Sequence, residues 1–166
     1  MEQTTTTKQL TCKDRIKKDY REECRQLSSL FSVMSGTYTP EELETFADSF
    51  SMDVEDLSND RLCDKAYKAL SQYGLGIDYV LPNTFTGQRK GYLRWQISWG
   101  GPSSEWRFFF VPGESDAYRI EYWFMDWADG AKVGCTGGRV AKLLWNYLQE
   151  CDYPRNCYES AMQNRD

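Results

Sequence analysis

At 166 residues, with 40% apolar and 15% aromatic side chains, the chain has enough material for one folded domain with a substantial core and is not of disordered composition. It contains no histidine, which excludes Ser-His-Asp and Cys-His nucleophile pairs, a histidine general base and histidine metal ligands. The formal net charge of −5 argues against nucleic acid as a direct partner, because such binding needs a clustered positive surface.

Residues 1 to 10, MEQTTTTKQL, are polar and read as a loose tail without the apolar stretch of a signal peptide. No run of 18 apolar residues is present, so no membrane span is expected, and the expected compartment is the cytoplasm. There the six cysteines, Cys12, Cys24, Cys63, Cys135, Cys151 and Cys157, are expected to be mostly reduced, with no disulfide needed for folding. No C-x-x-C pair occurs, which with the missing histidine argues against zinc.

A first helix is predicted from Thr11, with Asp14 as its capping-box partner. Ile16, Tyr20, Cys24, Leu27, Leu30, Phe31 and Met34 make its apolar stripe, and Gly36 ends it. Thr39-Pro40-Glu41-Glu42 starts a second helix, with Leu43, Phe46, Ala47 and Phe50 turned inward. A third is predicted from about Asn59 to Tyr73, stopped by Gly74. Tyr79 to Leu81 reads as a short strand and Asn83 to Lys90 as a polar loop.

From Gly91 to Gly130 the pattern changes to strand-like alternation, and five of the six tryptophans lie there. Three antiparallel strands are predicted, over 92–99, 105–111 and 117–127, joined by Gly, Pro and Ser turns. Alternation puts Leu93, Trp95, Ile97 and Trp99 on one face of the first, with Trp106, Phe108 and Phe110 of the second and Tyr118, Ile120, Tyr122 and Phe124 of the third. The other face carries Arg94, Arg107, Arg119 and Glu121 among aromatics and is expected to be partly wet. After Thr136-Gly137-Gly138 a helix is predicted on the stripe Val140, Leu143, Leu144, Tyr147 and Leu148, then a short closing helix over 155–163. The expected fold is α+β in a single domain: N-terminal helices, a three-stranded antiparallel meander, and C-terminal helices packed on one sheet face.

Two surfaces are candidates for partner binding. Between Glu41 and Asp64 nine acidic residues face one basic residue, Arg61. Glu41, Glu44, Asp48, Asp53, Glu55 and Asp56 read first as a solvated helix face. Their density also suits contact with a basic groove, where carboxylates stand in place of phosphates. The second surface is the sheet face of Arg94, Arg107 and Arg119. Its plain reading is cross-strand packing of arginine stems on rings, and its functional one is a platform for single-stranded nucleic acid.

Two further motifs carry weaker chemistry. Asp126 and Asp129, with Glu105 or Glu121, could hold a divalent cation in a metal-dependent enzyme, although Asp-Gly is also ordinary turn chemistry. Gly134-Cys135-Thr136-Gly137-Gly138-Arg139 is glycine-rich before a helix but matches neither a P-loop nor a dinucleotide fingerprint, and no cofactor is expected.

The stretches GYLRWQISWGGPSSEWRFFF (91–110) and YRIEYWFMDWADGA (118–131) resemble parts of small proteins carried by phages and mobile elements. Acidic proteins of that setting and size without catalytic motifs are similar in kind to anti-CRISPR and anti-restriction inhibitors. The resemblance covers the middle of the chain and leaves residues 1 to 80 outside it. It implies a non-enzymatic inhibitor that binds a bacterial nucleic-acid-handling defence protein or complex, a Cas protein being one candidate, in the host cytoplasm. It supplies no catalytic residues.

Overall fold

The computed structural model describes residues 10–53 and 61–165. Helix α1 (Cys12–Met34) begins at Thr11 with a complete capping box: Asp14 N donates to Thr11 Oγ1 at 3.3 Å, and Thr11 N donates to Asp14 Oδ2 at 3.1 Å. Gly36, at φ +68°, ends it by taking the left-handed conformation that suits glycine. Helix α2 (Pro40–Ser49) repeats the device with Thr39 and Glu42. The second oxygen of Glu42 accepts from Ser32 Oγ at 2.9 Å, so one carboxylate both caps α2 and ties it to α1. Helix α3 (Leu62–Ser71) buries Leu62, Ala66, Ala69 and Leu70. The start expected at Asn59 lies outside the described residues.

The sheet has five strands, not three: β1 (Gly76–Val80), β2 (Tyr92–Ser98), β3 (Ser103–Phe110), β4 (Ala117–Asp126) and β5 (Asp129–Gly134), antiparallel throughout and adjacent in chain order. The central three are those expected from the sequence. β1 contains most of the short strand expected over 79–81 and starts earlier, at Gly76, while β5 is unexpected; both are edges of slight burial, which is why the apolar alternation of a half-buried strand is faint in them. β5 reads DGAKVG, with three small residues, two of them glycines, in a stretch that looks like turn and loop. Helices α4 (Arg139–Glu150) and α5 (Tyr153–Gln163) close the chain. The class is α+β, with five helices among the described residues.

One sheet face is covered by helices. Leu93, Trp95, Trp106, Phe108, Ile120, Tyr122 and Phe124 are all at most 4% exposed there. Tyr20 of α1 packs on Trp106 and Tyr122, with ring centroids 6.0 and 5.5 Å apart. From α4, Trp145 lies on Phe108 at 5.7 Å, and Tyr147 stacks on Trp95 at 5.9 Å. From α5, Tyr158 meets Tyr79 of β1 edge-on at 5.1 Å. All six cysteines are free. No helix of the described residues is long and apolar enough to cross a membrane.

Two of the expected face assignments are overturned, each by a bulge. Gln96 pairs with Glu105, but Ser98 pairs with Ser104, so one residue is extra in β2. Ser98 therefore turns inward, where Ser104 N donates to Ser98 Oγ at 2.9 Å, and Trp99 is thrown to the opposite face, 77% exposed. Likewise Phe109 pairs with Arg119 while Phe110 pairs with Ala117. Ala117 takes the inward position expected of Tyr118, whose ring instead lies 6.4 Å from Phe109 on the open side.

The packed face supports two predictions. Trp106 is fully buried among Tyr20, Tyr122 and Phe108, so Trp106→Ala should lower stability by about 3–5 kcal/mol in denaturant unfolding. Unchanged unfolding would show that this face is not the core. The second concerns Glu23 on α1, whose Oε1 is buried without a hydrogen-bond partner, as is Trp106 Nε1. Burial pushes the Glu23 carboxyl up to about 7; the neighbouring Trp106 indole N–H opposes the rise, and repulsion from Asp19 and Glu22 adds to it. The folded protein thus holds this proton to higher pH than the unfolded chain does. The stability contributed at this group is fully present below the ordinary carboxylate range and is lost as pH rises through 7. A chain without histidine has little else to titrate there. Glu23→Gln should therefore remove a loss of about 1–3 kcal/mol between pH 5 and pH 8, at ~1.4 kcal/mol per unit. Parallel pH profiles for wild type and variant would refute this.

Candidate functional site

The sheet face away from the helices is built by the alternate residues of the same strands. Asp78 of β1, Arg94 of β2, Arg107 of β3 and Glu121 of β4 stand in one cross-strand row. Arg94 and Arg107 are direct neighbours of like charge, an arrangement that is unfavourable unless each has its own counter-charge. Each does. Arg94 makes a two-pronged pair with Asp78 at 2.8 and 2.7 Å, and Arg107 Nε donates to Glu105 at 2.5 Å.

Aromatic rings lie against Arg107 and Arg119. The Arg107 guanidinium lies 3.8 Å from the Trp123 ring centre and 4.8 Å from that of Tyr92, and Arg119 lies 3.7 Å over Phe109. Glu121 is the shared acceptor, taking Lys132 Nζ at 2.7 Å and Trp123 Nε1 at 2.9 Å. Burial works to raise its carboxyl, but these two donors and nearby Arg119 outweigh burial and hold it below the usual range. Both buried carboxylates of this face are thus already paired, while the cations outnumber them.

The segment from Leu81 to Gly91 forms one wall. Gln88 pins it by donating from Nε2 to Leu81 O at 2.9 Å and Lys90 O at 2.7 Å. The segment passes so near β1 that a Cβ on Gly91 would stand 2.3 Å from Tyr79 Oη, which only glycine permits. Lys90 then lies 5.0 Å over the Tyr118 ring. At the far end the bulge delivers Trp99, and the two-residue turn between β4 and β5 delivers Trp127, which is 96% exposed and held at φ +53°. That conformation is uncommon for a large aromatic. The two turns touch: a Cβ on Gly101 would lie 3.4 Å from Trp127 Nε1.

The result is a groove of about 820 Å³ across the open face, bounded by the 85–90 wall, Trp99 and Trp127. Six cations line it (Arg89, Lys90, Arg94, Arg107, Arg119 and Lys132) against two carboxylates, Glu105 and Glu121. Tyr92 also lines it, wholly buried, and its hydroxyl has no hydrogen-bond partner.

The sequence-derived candidates fall on opposite sides of the sheet. Arg94, Arg107 and Arg119 come together in the groove. Glu41, Glu44, Asp48 and Asp53 are exposed on and just after α2, which packs on α1 on the helical side. Glu55 and Asp56 lie outside the described residues. The metal quartet is not assembled. Asp126 accepts from Arg15 Nη1 at 2.5 Å, and Asp129 accepts from Cys12 N at 2.6 Å, so both fasten the start of α1 to the β4–β5 hairpin. The Cys12 N–H bond holds the Asp129 carboxyl below its ordinary value. Glu105 and Glu121 point from the other face. Among the described residues no group of three or more Cys, Asp or Glu side chains is placed to hold a metal. In the glycine-rich 134–139 segment, Thr136 Oγ1 accepts from Ile120 N at 3.0 Å and Gly138 precedes α4 as its N-cap, so the segment joins sheet to helix.

Sequence reasoning missed Trp99, Trp127, Lys132, Arg89 and Lys90 as parts of the site. Trp127 was legible as an indole in a two-residue hairpin turn. The others depend on a bulge, an unexpected strand and the path of a loop.

Fold and face together define the class: an α+β protein whose antiparallel sheet keeps one face open, basic and aromatic. The chain matches no protein-family model, no curated protein and no solved structure.

The unpartnered Tyr92 hydroxyl yields a direct expectation. Its removal breaks no internal hydrogen bond and relieves a desolvated polar group, so Tyr92→Phe should leave stability unchanged or raise it by about 1 kcal/mol. A loss of about 2 kcal/mol or more in thermal or denaturant unfolding would mean that the hydroxyl is satisfied inside the fold.

Proposed function

We propose that this protein is a non-enzymatic inhibitor that binds a bacterial nucleic-acid-handling defence protein or complex, and that the open sheet face, rather than the acidic helix, makes the contact. The observation that carries the choice of surface is the groove's composition: six cations against two paired carboxylates, with two exposed indoles, on a chain of net charge −5. An acidic protein gains nothing in solubility from gathering its arginines on one face, whereas a binding face gains directed attraction and flat apolar contact. Glu41, Glu44 and Asp48 lack any such aromatic company and fit a solvated helix exterior. The resemblance of the central strands to mobile-element proteins supports the partner class, and with it action in the host cytoplasm.

The thiols support binding over catalysis. Burial pushes Cys135 up to about 12 and raises Cys12, Cys24 and Cys157, and the chain has no histidine to activate a nucleophile. No cofactor enters this reading.

Affinity purification from a bacterial lysate, with mass spectrometry of the bound proteins, tests it. Wild type and the reversed variant Glu41→Lys/Glu44→Lys/Asp48→Lys should recover the same nucleic-acid-handling protein. Trp99→Ala/Trp127→Ala should lose it, with thermal stability of both variants near wild type because all five positions are exposed. Loss of capture on charge reversal, with capture kept by the tryptophan variant, would assign the contact to the acidic helix.

A further inference from the structure

We infer that the groove on the open sheet face is a binding site for single-stranded nucleic acid. The inference rests on the reading of this face as the contact surface and names the chemistry of what it touches. A chain-wide charge of −5 argues against such a ligand only if charge is evenly spread, and here it is not. The acidity sits on the helical side around α2, while six cations from β2 to β5 and the 81–91 loop line the groove against Glu105 and Glu121, with Asp78 beside Arg94.

Three features match an unpaired strand more closely than other anions. First, Trp99 and Trp127 are 77% and 96% exposed at one end of the groove, each presenting an uncovered ring to solvent. Bases supply flat partners for such rings regardless of sequence, and each such stack is a large part of single-strand affinity. A run of carboxylate side chains would pair with the cations and leave both indoles in water. Second, the cations of the groove centre are fixed. Arg107 and Arg119 are held against rings, at 3.8 and 3.7 Å from the ring centres, which sets their positions on the floor, as phosphate contacts require. At the edges, Lys132 is held by Glu121, Lys90 lies over the Tyr118 ring, and Arg89 is exposed on the loop. Third, the buried Tyr92 hydroxyl lines the groove without a partner, a donor left for a ligand oxygen.

The dimensions agree. Tyr92 and Trp99 lie seven residues apart along β2 and the turn that follows, about 23 Å at ~3.3 Å per residue. A strand of a few nucleotides spans that distance, from the Lys90 wall to the two indoles. A duplex hides its base faces and offers nothing to Trp99 or Trp127. No side chain in the groove forms a base-edge pattern that would select a sequence, so the site should accept any unstructured strand.

Fluorescence anisotropy with labelled dT12 and rU12, a 12-base-pair duplex and a glutamate-rich 12-residue peptide tests the inference, with tryptophan quenching as second readout. At 50 mM salt the single strands should bind, quench tryptophan emission and outcompete both duplex and peptide. Raising salt to 200 mM should weaken binding by roughly 50-fold if about four phosphates are engaged at a slope of ~0.7 each. Trp99→Ala and Trp127→Ala should each weaken it about tenfold or more, and Arg89→Glu, at an exposed position of the groove wall, should weaken it severalfold without touching an aromatic. Circular dichroism melts of each variant should match wild type. Absence of oligonucleotide binding at 50 mM salt, binding indifferent to both sets of variants, or preference for the peptide would each overturn it. If the tryptophan variants lose the lysate partner while wild type binds no oligonucleotide, the inference falls and the docking face stands. If wild type binds oligonucleotide through these residues while the variants keep the partner, the strand site stands and the protein contact lies elsewhere.

Discussion

Everything in this structure depends on the strict alternation of side chains along the three central strands. β2, β3 and β4 place Leu93, Trp95, Trp106, Phe108, Ile120, Tyr122 and Phe124 on one side, nearly without exposure. So much aromatic surface cannot be left in water, at roughly 25 cal/mol for each Å². The helices must lie on it. The same alternation leaves arginines, glutamates and the remaining rings on the other side, which no helix of the described residues covers. The open face is therefore a consequence of the core and not an independent feature.

Helix α1 is held to this sheet at points that have nothing to do with hydrophobicity. Its first turn is bound by Asp129 through Cys12 N and by Asp126 through Arg15, both from the β4–β5 hairpin. Midway, Tyr122 Oη donates to Asp19 at 2.6 Å. These polar bonds fix the helix along its axis, a direction in which apolar packing discriminates poorly. They also explain why the hairpin is stiff enough to hold Trp127 at a positive φ with its ring in solvent. One pair of carboxylates thus anchors a helix on the covered side and presents an indole at the groove on the other.

Charge is arranged by face. Acidic side chains gather on the outer helix and cations on the open sheet, and the cations are held in place by rings and two buried carboxylates.

The α+β class, the helix starts at Thr11 and Thr39, the central strands and the packed face were all determined by the sequence, because they rest on local rules: capping chemistry within four residues, and alternation within seven or eight. The arginines of the open face were legible for the same reason. The tertiary structure alone decided the rest. β5, and the part of β1 before Tyr79, are strands because edge positions pair their backbones with β4 and β2, and hydrogen bonding to a neighbour leaves little mark on side-chain pattern. Asp126 and Asp129 became helix anchors rather than ligands because α1 lies across them from more than 110 residues away in the chain. Trp99 and Tyr118 changed face because a bulge adds one residue to a strand, and an odd insertion reverses every side chain beyond it. Nothing in the order of residues marks where a partner strand will force that extra residue out, so the groove could be seen only once its neighbours were in place.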